Sequence, residues 1–159
     1  MKKVVLAVTS IMLIFVILVG CSQNFKPVTE DKFNSVMDER KLSVSELELD
    51  EGIKELGVTK YLVAQKNDSY QIEYYSLDSE AEAVSYYDKL VSKYDSVFAV
   101  GNGKYSHSNV STEKTSQYLL ECSMAYIKVN RVDTNIICLF VKDLSLKDAA
   151  VIVYDSLLE

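Results

Sequence analysis

Two stretches of this chain carry one pattern: a run rich in β-branched and aromatic residues, a polar pair, a second such run, and at once an amphipathic helical segment. Residues 61–75 (YLVAQKNDSYQIEYY) and residues 127–141 (IKVNRVDTNIICLFV) each read as strand, tight turn, strand. Asn67-Asp68 and Asp133-Thr134 are polar pairs of the kind that tolerate turn conformations. With two-residue loops, Val63 is expected to face Ile72 and Tyr61 to face Tyr74 in the first hairpin. In the second, Val129 faces Cys138 and Ile127 faces Phe140. One face of each hairpin is then apolar and must be covered.

The helical segments supply the cover. Ser79 followed by Glu82 is a capping-box pattern opening a helix to about Tyr94, with Ala83, Val84, Tyr87, Leu90, Val91 and Tyr94 as its apolar stripe. Ser145 followed by Asp148 opens a similar one, carrying Leu146, Ala149, Ala150, Val153 and Leu157. Ala83, Tyr87, Asp88 and Leu90 match Ala150, Tyr154, Asp155 and Leu157 at a constant offset, which either duplication or shared helix composition explains. Further strands are predicted over 42–49 and 117–121, and a helix carrying Phe33, Val36 and Met37 over 30–40. The expectation is an α+β fold: a two-layer sandwich of mostly antiparallel sheet with helices on one face, in the order α-βββα-βββα. The half-repeats span about 41–94 and 117–158 within a single domain over 29–159. They are joined by a loop over 95–116 that is free to hold one short strand at 97–100.

The first twenty-one residues have a different character. Lys2 and Lys3 precede an apolar run over 4–19, which ends in Leu18-Val19-Gly20-Cys21. A positive start, an apolar stretch short for a ~30 Å hydrocarbon core and a small residue before a cysteine outline a cleaved signal peptide. The last four residues resemble the lipobox of bacterial lipoproteins, and the chain is similar to small bacterial membrane lipoproteins. That resemblance implies a diacylglyceryl group on the Cys21 thiol, removal of residues 1–20, and a short tether over 21–28 in which Pro27 discourages helix. It implies an extracytoplasmic protein anchored to the cell membrane through lipidated Cys21, and it supplies no activity.

Composition sets limits on what the domain does. Removing residues 1–20 takes away two lysines and no acid, so the formal charge falls from −6 to −8. Such a domain has no basic footprint for phosphate, and no nucleic-acid partner is expected. Two acyl chains anchor a protein without a polybasic patch. With Cys21 acylated, Cys122 and Cys138 are left; their expected places, a turn and a mid-strand core position, do not favour a bridge. With one remote histidine they lack metal-ligand spacing, and no metal or cofactor is expected.

Catalytic patterns are sparse. His107 lies in a Ser-rich loop with no acid nearer in sequence than Glu113. Gly101-Asn102-Gly103-Lys104 lacks the spacing of a phosphate loop and reads as a turn. Glu46, Glu48, Asp50 and Glu51 alternate with Leu47 and Leu49 as the solvated face of an edge strand. Tyrosine is the unusual abundance, eleven against no tryptophan. The two-residue turn puts Tyr61, Tyr70 and Tyr74 on one hairpin face and Tyr75 on the outward one, where Tyr75 is the candidate contact for an envelope protein, peptide or glycan. The expected function is a non-enzymatic binding or accessory module of the cell envelope. An envelope enzyme with a Ser/Asp/Glu site assembled in space and a homo-oligomeric domain pairing through strand edges are the alternatives.

Overall fold

The computed structural model describes residues 26–98 and 105–159. The expected signal peptide, Cys21 and most of the expected tether lie outside the described residues, as does Gly101-Asn102-Gly103-Lys104. In chain order the elements are α1 (Glu30–Glu39), β1 (Val44–Glu46), α2 (Glu51–Lys54), β2 (Val58–Lys66), β3 (Tyr70–Leu77), α3 (Glu80–Phe98), β4 (Tyr105–Ser111), β5 (Thr115–Cys122), β6 (Tyr126–Val132), β7 (Asn135–Val141), a 3-10 turn (Leu144–Leu146) and α4 (Lys147–Asp155). All seven strands form one antiparallel sheet in the order β1-β2-β3-β7-β6-β5-β4.

The α+β sandwich on an antiparallel sheet is as expected from the sequence, but its helices divide between both faces. α1 and α4 cover one face, where Phe33, Met37, Ala150 and Tyr154 pack on Leu62, Ile72, Tyr74, Ile137 and Leu139. α3 covers the other, where Ala83, Tyr87 and Leu90 pack with Tyr75, Leu120, Ile127, Ile136 and Cys138. The reason is legible in β7: Ile136, Ile137, Cys138 and Leu139 are all buried, and successive side chains on a strand point to opposite faces. A strand apolar on both sides needs two layers of cover. Val28, expected at the end of the tether, is also core, and Asn135 Nδ2 donates to its carbonyl at 3.1 Å.

Local signals account for the ends of elements. Thr29 caps α1 by accepting from the Lys32 amide, and Ser79 accepts from the Glu82 amide at 3.2 Å while donating to the Glu82 carboxylate. The second expected capping box does not form. Asp143 instead caps the 3-10 turn through the Ser145 amide, and Leu146 precedes α4 with no side-chain cap. The expected strand over 42–49 shortens to three residues because Asp50 caps α2, accepting from the Ile53 amide at 2.8 Å.

Two further expectations are corrected. The loop over 95–116 does not exist as such: α3 runs through Phe98, excluding a strand start at Val97, and Tyr105–Ser111 form β4, paired along its length with β5. The second hairpin has its expected register, with Val129 opposite Cys138 and Ile127 opposite Phe140. The first is one residue out. Lys66 pairs with Tyr70, so the loop has three residues and starts at Asn67 with φ of 49°. Val63 therefore lies opposite Glu73 and Tyr61 opposite Tyr75, and it is Leu62 and Ala64 that bury with Ile72 and Tyr74. A slip of one exchanges the faces of β2 relative to β3.

Candidate functional site

That register gathers the tyrosines. Tyr61 and Tyr75 share the α3 face, while Tyr70 and Tyr74 belong to the α1/α4 face, so the grouping expected from a two-residue turn is corrected. Tyr75 is not on an outward surface: it is 4% exposed, beneath α3. Its ring stacks on Tyr61 at 4.5 Å between centroids, and Tyr86 of α3 tilts against it at 5.1 Å. These rings form part of the wall of a cleft of about 330 Å³ between α3, β2, β3 and β7. Tyr75, Tyr86 and Leu90 are buried in it, whereas Ile53, Tyr61, Gln71, Tyr94 and Phe140 are half-buried and Lys93 is exposed.

At the floor stands Glu73, 5% exposed and the one buried acid among the described residues. It occupies a transverse row between Val63 of β2 and Cys138 of β7. Its Oε1 accepts from Gln71 Nε2 at 2.6 Å and Tyr61 Oη at 3.1 Å, and its Oε2 accepts from Tyr75 Oη at 2.6 Å. Three donors thus replace the water a carboxylate loses on burial, but no lysine or arginine among the described residues forms an ion pair with it. Lys93, at the rim, is no exception.

The surrounding groups are held protonated. Burial, reinforced by the charge of Glu73, raises Tyr75 and Tyr61 well above the ordinary phenol value. Tyr86 is pushed up to about 12, mainly by burial. Tyr94 and Cys138 touch at 3.2 Å between Oη and Sγ, and burial raises both. A thiol kept from ionising is a poor nucleophile. The arrangement offers hydrogen-bond donors, aromatic faces and one negative charge.

α3 is what keeps the cleft open. Toward β4 and β5 it is pinned by Tyr87, which donates to Asn109 at 2.8 Å, and by Asp95, which accepts from Tyr118 at 2.8 Å. Over β2 the cover is shared with α2, whose Ile53 lines the cleft. Farther along, buried Arg131 donates from Nε to Ser116 and from its two amino groups to the carbonyls of Thr112, Glu113, Lys114 and Asp133. It ties down the β4–β5 turn and takes no part in the cleft.

The other sequence candidates are scattered. His107 is exposed on β4, in a strand rather than a loop, on the far side of the sheet from β2. Glu46, Glu48, Asp50 and Glu51 are exposed, as a solvated face requires. Cys122 and Cys138 are free and buried; β6 lies between their strands, a separation of ~10 Å that no disulfide spans. Among the described residues no group of three potential metal ligands occurs, and no helix is long and apolar enough to cross a membrane. Glu73 was missed by the sequence reading. The available signal was a lone acid within a β-rich run, Gln71-Ile72-Glu73-Tyr74-Tyr75, at a position the correct register turns inward. No protein-family model and no curated protein matches this chain.

Proposed function

We propose that this chain is a lipid-anchored, extracytoplasmic binding module of the cell envelope, without catalytic chemistry of its own, that takes a ligand or a side group of a partner into the tyrosine-lined cleft. The lipobox-like Leu18-Val19-Gly20-Cys21 supports the address. The observation that carries the binding role is the cleft itself: a buried carboxylate lining a concave, aromatic opening. Its neighbours are phenols, an amide and a protonated thiol, which suit recognition better than proton transfer at neutral pH. Photo-cross-linking in intact cells from a probe placed at Ile53, on the rim, tests this reading. Capture of a defined product that falls at least tenfold on Tyr61→Leu, with normal abundance of the protein, supports it; unchanged capture removes the cleft from the function. The address is tested separately by metabolic labelling with a fatty acid, which should mark the parent and not Cys21→Ala.

One observation favours a second reading, self-association through a strand edge. β4 is an outer strand of seven residues that contains no proline, lysine, arginine, aspartate or glutamate, the features that usually protect an edge. A concentration-independent monomer in sedimentation analysis would remove it.

A further inference from the structure

The chemistry of the cleft also restricts what enters it, and the restriction rests on the binding reading above. A buried carboxylate is expensive unless hydrogen-bonded and paired. Glu73 has the hydrogen bonds but no cation: among the described residues the ion pairs join Lys60 to Glu30 and Glu46, Lys128 to Asp155, and Lys147 to Glu121. A carboxylate offers about four acceptor positions. Tyr61 and Gln71 use two on Oε1 and Tyr75 uses one on Oε2, so one position on Oε2 remains for a donor from outside. The walls are the rings of Tyr61, Tyr75, Tyr86 and Tyr94, whose faces are electronegative. Negative charge at the floor and π faces around it attract the same thing, a cation with an apolar skin.

We infer that the cleft is a site for an alkylammonium group, its charge against Glu73, one N–H directed to the open position on Oε2, and its alkyl carbons against the tyrosine rings. A volume of about 330 Å³ admits a small amine or the amine end of a larger molecule and excludes a folded segment. A neutral ligand of the same shape would leave the carboxylate uncompensated, and an anion would be repelled. Lys93 at the rim opposes the cation at longer range, so it weakens the site and does not fill it.

The test uses the full chain in a non-ionic maltoside detergent, which carries no ammonium group of its own, and follows tyrosine ring resonances. Trimethylammonium is the probe and tert-butanol its neutral counterpart. Saturable shifts at the cleft tyrosines are expected with trimethylammonium, with tert-butanol at least tenfold weaker. Glu73→Gln, which keeps the shape, removes the charge and turns one acceptor oxygen into a donor NH2, should weaken the cation at least tenfold, and Lys93→Gln should strengthen it two- to threefold. Should Glu73→Gln fail to fold, Tyr61→Leu at the half-buried rim replaces it and should cost the cation at least fivefold. Equal binding of both probes, indifferent to these changes, overturns the cation and leaves the cleft as a binding site. No shift from either probe at any cleft tyrosine overturns the inference and the binding reading together. Displacement of bound trimethylammonium by vesicles of phosphatidylethanolamine and phosphatidylglycerol would assign the amine to a lipid headgroup, and no displacement to a free solute; either result supports the site.

Discussion

The two faces of the sheet are built from the same strands and solve different problems. On the α1/α4 face, two helices close over an almost wholly apolar layer, and its buried polar side chain, Asn130, accepts from the Tyr154 hydroxyl at 2.9 Å. On the α3 face, α3 and the one-turn α2 share the cover, and there the domain buries a carboxylate, a guanidinium and the Ser116 hydroxyl. Both faces keep an opening beside their helices, about 210 Å³ over β4–β6 on the α1/α4 side and the cleft on the α3 side. What differs is the buried charge, which the domain places on the α3 face alone.

The largest effect should come from breaking the core of the α1/α4 face. Leu139→Asp places a charge among Ile72, Ile137 and Tyr154 with no partner, a cost of about 4 kcal/mol or more, and cooperative thermal unfolding should disappear. Alkali should next act through the buried phenols of both faces, Tyr154 on the α1/α4 side and Tyr75 and Tyr86 on the α3 side. The buried phenols of Tyr75 and Tyr86 ionise well above the unfolded value near 10, so their contribution is complete below pH ~10 and is withdrawn as pH rises past it. Each withdraws up to about 1.4 kcal/mol per pH unit. Tyrosinate absorbance and circular dichroism should therefore change together above pH 10; stepwise ionisation with the fold intact would contradict the burial of these rings.

Smaller substitutions sharpen the contrast. Leu62→Asp, on the α1/α4 side of β2, should cost about 3 kcal/mol, whereas Val63→Asp, half-buried opposite Glu73, should cost about 1 kcal/mol. The reverse order in chemical denaturation would restore the two-residue turn. Glu73→Leu leaves Tyr61, Gln71 and Tyr75 without an acceptor and should cost about 2 kcal/mol. Tyr75→Phe removes one of those bonds for about 1 kcal/mol, and His107→Ala, on an exposed strand, should shift stability by no more than about 0.5 kcal/mol.

The lengths of the connections explain why two similar sequence patterns diverge. After the first hairpin only Asp78 and Ser79 separate β3 from α3, and the chain turns directly onto one face. After the second, Lys142 and Asp143 lead into the 3-10 turn, with both amides bonded to the Ser69 carbonyl, and α4 starts on the other face. Tyr87 and Tyr154 match in sequence and both donate to asparagines, Asn109 and Asn130, yet on opposite sides of the sheet. Nothing in local composition records that choice, because a helix stripe states that it must be buried and not against which face.

The type of most elements, the Ser79–Glu82 cap, the register of the 127–141 hairpin and the antiparallel α+β class were readable from periodicity and capping chemistry, which act over a few residues. The N-terminal motif around Cys21 was equally local. The division of helices between faces, the strand in place of a loop at 105–111 and the three-residue turn at Asn67 were settled by tertiary packing. So was the cleft. Tyr61, Glu73, Tyr86, Tyr94 and Cys138 lie far apart along the chain, and it is the pairing of β2, β3 and β7 under α3 that brings one carboxylate and five aromatic rings to a common opening. Short-range signals specify what each segment is; only long-range pairing, enforced by the need to bury both sides of β7, decides which side chains meet.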